Sequence, residues 1–189
     1  MQEKLQRKCP FCREPIPDTD EKSSKQWMKR IEMNDPVALR QEGANQYDKS
    51  EYRRAFEYLT QAAELGDVEA HHRLSLLYHH NGQGVEKDRN KQTYHMEEAA
   101  VGGHPRARYN LGSHEWSNGN QEKAVKHFII AANQGHDLSI KSLTYAFKKG
   151  FIEKDDLAAA LRAHQAAVDA TKSPQREAAE EYYQHVNPC

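Results

Sequence analysis

Apolar residues along this chain recur at helical spacing, and the pattern itself repeats. Ala70, Leu74 and Tyr78 share one stripe of a helix, Ala107 and Leu111 another, and Ile140, Leu143 and Phe147 a third. The small residue inside each apolar stretch falls at Gly43, Ser75, Gly112 and Thr144, in steps of 32, 37 and 32 residues. A second marker is an alanine pair followed by glycine: Ala62-Ala63-Glu64-Leu65-Gly66, Ala99-Ala100-Val101-Gly102-Gly103 and Ala131-Ala132-Asn133-Gln134-Gly135. Its steps are 37 and 32, so five extra residues lie between Ser75 and Ala99, where Asn81-Gly82-Gln83-Gly84-Val85 reads as a loop. Periods of this length mark stacked two-helix units, none of which can bury its apolar face alone.

Punctuation along the chain sets the expected helices. Asp35-Pro36 supplies an N-cap and a first-turn proline, Pro105 marks another start, and Asp67, Asp88 and Asp137 are expected to cap later helices. Gly66, Gly103 and Gly135 stand where a helix C-terminus calls for positive φ. The predicted pairs are 36–47 with 51–65, 67–80 with 89–101, 105–117 with 120–134, and 138–149 with 154–171. Ser173-Pro174 would open a last helix, through about Val186, that seals the stack. Alternating β-branched runs are nearly absent, so no sheet is expected. The same phase makes Leu74, Tyr78, Leu111, Phe128, Leu143 and Phe147 core, and gives Leu59, Met96 and Phe128 equivalent places in the second helices.

Composition narrows the function. With 27 basic and 28 acidic residues, the chain has no charge excess to attract nucleic acid or an acidic membrane. No apolar run approaches the roughly 20 residues that span a bilayer, and Met1–Gln6 lacks the apolar core of a signal peptide. Three cysteines, one of them the last residue, make no disulfide framework. These features imply a soluble protein of a reducing compartment, cytoplasmic or nuclear. Apolar residues are 37% and charged ones 29%, a polar balance that suits a thin helical stack whose helices expose much of their surface.

Leu74-Ser75-x-x-Tyr78, then Gly82-Gln83-Gly84-Val85-Glu86-Lys87-Asp88, Lys91 and Glu98-Ala99-Ala100-x-x-Gly103, resembles a Sel-one-like repeat, a relative of the tetratricopeptide repeat. Leu111-Gly112, Lys123-Ala124 and Ala131-Ala132-x-x-Gly135 resemble the next unit; Arg54-Ala55 and Ala62-Ala63-x-x-Gly66 resemble the preceding one. The likeness covers roughly residues 36 to 171. Gln92 stands where the family usually has alanine, and Glu115 where it has tyrosine. The resemblance implies an all-α fold, a right-handed superhelical α/α solenoid of about four helix-turn-helix repeats with a C-terminal capping helix. It also explains Gly82-x-Gly84 as a turn; a phosphate cradle would need a preceding strand, and the segment before these glycines reads as helix.

Lys8-Cys9-Pro10-Phe11-Cys12-Arg13 is a second feature. Two cysteines two residues apart can form one side of a tetrahedral zinc site. The Cys-Pro-x-Cys-Arg form resembles the final ligand pair of a RING finger, the zinc module of many ubiquitin ligases. The resemblance puts Arg13 at the basic position that helps hold ubiquitin on its conjugating enzyme. A RING needs six further ligands before Cys9, and the eight residues there include no Cys or His. Either Met1 is an internal methionine of a longer protein, or the zinc module has decayed. Cys9 and Cys12 are metal ligands only if a complete finger exists upstream. Zinc and a ubiquitin-conjugating enzyme partner belong to that longer form, and no cofactor is expected in this chain. The expected organisation is a flexible finger remnant over 1–21, a connecting helix or linker over 22–35, the repeat array over 36–172, and a capping helix and tail over 173–189.

The 11 histidines suggest metal, but His71-His72 and His79-His80 lie seven to nine positions apart, about 10–13 Å along a helix, too far to share one ion. Glu97-Glu98, Asp155-Asp156 and Glu180-Glu181 read as solvated faces, and no nucleophile sits in a recognisable turn beside a base. Some disulfide-rich bacterial relatives of the repeat were described as hydrolases; their paired cysteines are missing here. The chain is therefore read as no enzyme.

What remains is a groove. In tetratricopeptide-like arrays the first helix of each unit lines the concave side. That alignment makes Arg40, Tyr47, His72, Leu76, His79, Tyr109, Trp116, Lys141, Tyr145 and Lys148 the groove-facing positions. Aromatic and cationic groups suit capture of a peptide or a carboxylate-bearing tail. The expected function is a protein-interaction scaffold or adaptor that binds a peptide or protein partner there. The alternative is the substrate-recognition part of a RING-type ubiquitin ligase whose zinc finger is cut short.

Overall fold

The computed structural model describes residues 19–79 and 84–172. Cys9, Cys12 and the expected helix after Ser173 lie outside the described residues. Within them the chain is all helical: α1 (Asp20–Glu32), α2 (Pro36–Asp48), α3 (Tyr52–Glu64), α4 (Val68–His79), α5 (Arg89–Val101), α6 (Pro105–Ser117), α7 (Gln121–Asn133), α8 (Asp137–Lys148) and α9 (Lys154–Ala170). No strand occurs among the described residues.

The repeated alanine–glycine marker is a corner. At the end of α3, Gly66 N–H donates to Ala63 O at 2.8 Å and Asp67 N–H to Ala62 O at 3.0 Å, so both alanines supply the acceptors of a Schellman turn. Gly103 and His104 repeat it on Ala100 and Ala99, and Gly135 and His136 on Ala132 and Ala131. The three glycines have φ of 85°, 91° and 81°, where any side chain would be strained. Alanine suits the other two positions because its methyl packs flat: all six alanines are 5% exposed or less.

The residue after each corner glycine starts the next helix. Asp67 Oδ1 accepts Ala70 N–H at 2.7 Å, and His104 Nδ1 accepts Ala107 N–H at 3.1 Å. Asp88 caps α5 through Asn90 and Lys91 N–H. Asp137 does not cap: α8 begins at Asp137 itself, behind His136, and its Oδ1 lies 3.0 Å from His164 Nε2. The corner geometry puts the residue directly after glycine in the cap position, and there that residue is His136.

The helices form two compact units, α1–α4 and α5–α9, whose boundary falls in the connection that carries the five extra residues. In the first, Leu39, Leu59, Ala62, Ala63, Ala70, Leu74 and Leu77 form the core, with Ile31 of α1 and Phe56 packed against it. Burying each leucine contributes roughly 1.5–3 kcal/mol. Gly43 lets α2 and α3 close up: a Cβ there would stand 2.8 Å from Leu59 Cγ.

In the second unit α6 and α7 pack as a pair, α8 lies against α7, and α9 covers α7 and α8. One cluster gathers Val125, Phe128, Leu143, Ala146, Ile152 and Ala160; another gathers Met96, Ala99, Ala100, Ala107 and Leu111. Of the six expected core residues, Leu74, Tyr78, Leu111, Phe128 and Leu143 are buried, and Phe147 is 40% exposed. The buried line of α8 runs through Ser139, Leu143 and Ala146. Phe147, one residue past Ala146, is rotated about 100° from it and comes out at the edge.

Candidate functional site

The second unit carries an open cleft of about 440 Å³. Helix α6 contributes Tyr109, Ser113, Trp116 and Ser117, spaced so that all four fall on one face. Helix α8 contributes Leu138, Lys141, Ser142 and Tyr145 at the same kind of spacing, and Phe128 of α7 closes the floor.

The walls are held by stacked rings. Trp116 lies 6.4 Å from Phe128 and 5.7 Å from Tyr145, and meets Phe151 edge to face at 5.4 Å. Tyr109 packs between Phe128 at 5.5 Å and His136 at 4.8 Å. Burial, followed by the charge of Arg106, pushes the His136 imidazole below its ordinary value, and Asp137 only partly opposes them. The ring against Tyr109 is therefore neutral near neutral pH, with Nδ1 3.0 Å from Ser139 Oγ. Lys149 Nζ lies over the Tyr145 ring at 5.7 Å. Tyr145 is still 51% exposed and Leu138 47%, so the mouth presents apolar surface to solvent.

Four of the ten expected groove residues thus share one cleft: Tyr109, Trp116, Lys141 and Tyr145. Lys148 is exposed on α8, two turns beyond Lys141, and does not line the cavity. In the first unit, Arg40 is tied to Asp67, Nε to Oδ2 at 3.1 Å, and Tyr47 sits edge to face on Tyr52 while packing on the core. Leu76 and His79 are exposed. His72, expected in the groove, is buried at 3% exposure. The buried residues of α4 (Ala70, His72, Leu74, Ser75, Leu77 and Tyr78) are spread round most of the helix, so no solvent stripe runs its full length.

Sequence reasoning missed Ser113, Ser117, Leu138 and Ser142. Their signal was present: each stands one to four residues from a groove position on the same helix. Among the described residues no group of His, Cys, Asp or Glu is arranged to hold a metal ion.

The model of the Sel1 repeat matches residues 39–67, 68–104 and 105–136, just over half of the chain. The chain belongs to the Sel1 repeat family. The three matched repeats cover α2 to α7, and the fourth helix pair, α8 with α9, continues the pattern beyond them. Among solved structures, this Sel1 repeat chain is similar to a protective antigen of uropathogenic Escherichia coli strains that displays an SLR fold. That likeness has 22% identity and a TM-score of 0.65, covering 79% of this chain and 34% of the other. The chain thus spans about a third of the antigen's length, and the likeness shows the fold alone. A Sel1 repeat protein from Oxalobacter formigenes is 26% identical with a TM-score of 0.58, covering 65% of this chain and 98% of that one. No curated protein matches the chain. No described helix is long and apolar enough to cross a membrane.

Proposed function

We propose that this chain is a non-catalytic interaction module that binds a protein or peptide partner in the cleft between α6 and α8. Sel1 repeat proteins act generally as protein-interaction scaffolds. The observation that carries the reading to this site is the ring cluster round Trp116, half-buried and flanked by the exposed Tyr145 and Leu138. Partly desolvated aromatic anchors with a polar rim are where binding energy usually concentrates.

Affinity capture with the full chain, followed by mass spectrometry, names the partner. Tyr145→Ala should weaken that complex by more than about 1 kcal/mol with helical content unchanged, because Tyr145 stands at the mouth and not in the core. Trp116→Ala should weaken it at least as much, with some loss of stability, since the indole also rests on Phe128 and Phe151. A partner held equally well by both variants would move the site elsewhere. A role in ubiquitin transfer rests only on Cys9-Pro10-Phe11-Cys12-Arg13. With two ligands where a closed zinc site wants four, the chain alone should carry far less than one zinc and fail to discharge ubiquitin from a conjugating enzyme.

A further inference from the structure

The cleft is uneven in its chemistry. Among the described residues that line it, Lys141 is the one charged group, the other polar groups are serine hydroxyls, tyrosine phenols and the Trp116 indole N–H, all able to donate, and none is a carboxylate. The hydroxyl of Ser117 is spent on Ser113 O at 3.0 Å, while those of Ser113 and Ser142 have no partner among the described residues. The nearby carboxylates are engaged outside the cleft: Glu115 with Asn120 Nδ2 at 2.7 Å, and Asp137 with His164 at 3.0 Å.

Beyond Lys141, the same face of α8 carries Tyr145 and then Lys148. Lys141 and Lys148 are both exposed, and neither has an acidic partner among the described residues. Seven residues of helix put them about 10 Å apart. One carboxylate cannot serve both, whereas two acidic side chains about three residues apart on an extended peptide, at roughly 3.3 Å per residue, match the spacing.

We infer that the cleft takes an acidic segment of a partner protein, in which an apolar side chain enters against Trp116 and Tyr145 while two flanking carboxylates meet Lys141 and Lys148. This rests on the reading of the cleft as a binding site and names the chemistry of its occupant. Opposite charge would speed encounter and set the register; the apolar side chain would supply most of the affinity.

The probe is a phage-displayed random dodecapeptide library, joined at its C-terminus so that no free terminal carboxylate competes, selected on the immobilised full chain. Enriched peptides should carry two Asp or Glu residues about three positions apart enclosing an apolar one. Measured by fluorescence anisotropy, the best peptide should bind about tenfold more weakly to a Lys141→Glu, Lys148→Glu variant, and clearly more weakly as salt rises from about 0.05 to about 0.5 M. Both lysines are exposed, so the variant should fold; its circular dichroism checks this. A neutral or basic consensus, or an acidic peptide indifferent to the charge reversal, overturns the inference. A neutral peptide that still depends on Tyr145 would sink the acidic occupant and leave the cleft as the binding site. Failure of any peptide to enrich, with protein capture still sensitive to Tyr145→Ala, separates the two readings in the same direction.

Discussion

Gly112 of α6 lies against the ring of Phe128 in α7: a Cβ built on this glycine would stand 2.7 Å from Phe128 Cε1. Adding that methyl should raise intrinsic helix stability by about 1 kcal/mol, while forcing apart two closely packed helices typically costs about 1–3 kcal/mol. The crowding should win, because Phe128 is 3% exposed and also floors the cleft. Gly112→Ala is expected to lower the melting temperature of the full chain and to weaken partner capture. A stabilised variant would mean that the helices can separate freely.

Leu143 and Phe147 share α8 and differ in burial, at 0% and 40% exposed. Leu143→Ala should therefore cost about 2–5 kcal/mol by leaving a cavity. Phe147→Ala should cost less than about 1 kcal/mol, as an edge position. Chemical denaturation of the two variants side by side measures the difference, and equal losses would contradict the rotation of α8 described above.

Asp67 has two tasks, capping α4 through Ala70 N–H and pairing with Arg40. Asp67→Ala should cost about 1–3 kcal/mol, since the cap alone usually contributes about 1 kcal/mol and the pair is mostly buried. Asp67→Asn keeps one oxygen for the cap but replaces the other, which accepts from Arg40, with a donor, so it should recover the share of the cap, about 1 kcal/mol, and not that of the pair. Hydrogen exchange at the Ala70 amide reads the cap directly: faster in the alanine variant, near normal in the asparagine one.

Two imidazoles make the second unit sensitive to acid. Burial, then the charge of Arg108, depresses His127; burial, then Arg106, depresses His136. Both fall below the ordinary value of 6.5, so between their folded values and 6.5 the unfolded chain binds more protons than the folded one. Their contribution to stability is complete above about pH 6.5 and is lost as pH falls through that window. Thermal unfolding should show this decline before the carboxylates titrate, and replacing both histidines with glutamine should flatten it.

Much of the fold was legible because its determinants are local. The Ala62-Ala63-x-x-Gly66 type of marker is a complete corner in one short segment, since a helix end needs two carbonyl acceptors and one residue at positive φ. Reading three such corners located the helices from α3 to α8. The small residues at Gly43 and Gly112 were legible for the same reason, since a glycine that weakens its own helix signals close approach. Asp137 shows the limit of local reading. Aspartate is a good cap in general, yet the corner keeps the same register at all three sites, so the residue directly after the glycine, His136, takes the cap position and Asp137, one residue further on, faces His164 of α9.

The sequence by itself determined the repeat, its helices, the corner geometry and five of six core residues, because each depends on neighbours within about two helical turns. It also named Tyr109, Trp116, Lys141 and Tyr145, but only as equivalent positions on separate repeats. The tertiary structure alone decided that these four close on one cleft over Phe128, that His72 is enclosed, and that Phe147 turns outward. The reason is rotational. Periodicity fixes which residues share a stripe of a helix, but what that stripe meets depends on how neighbouring helices pack, and a change of one residue swings a side chain by about 100°.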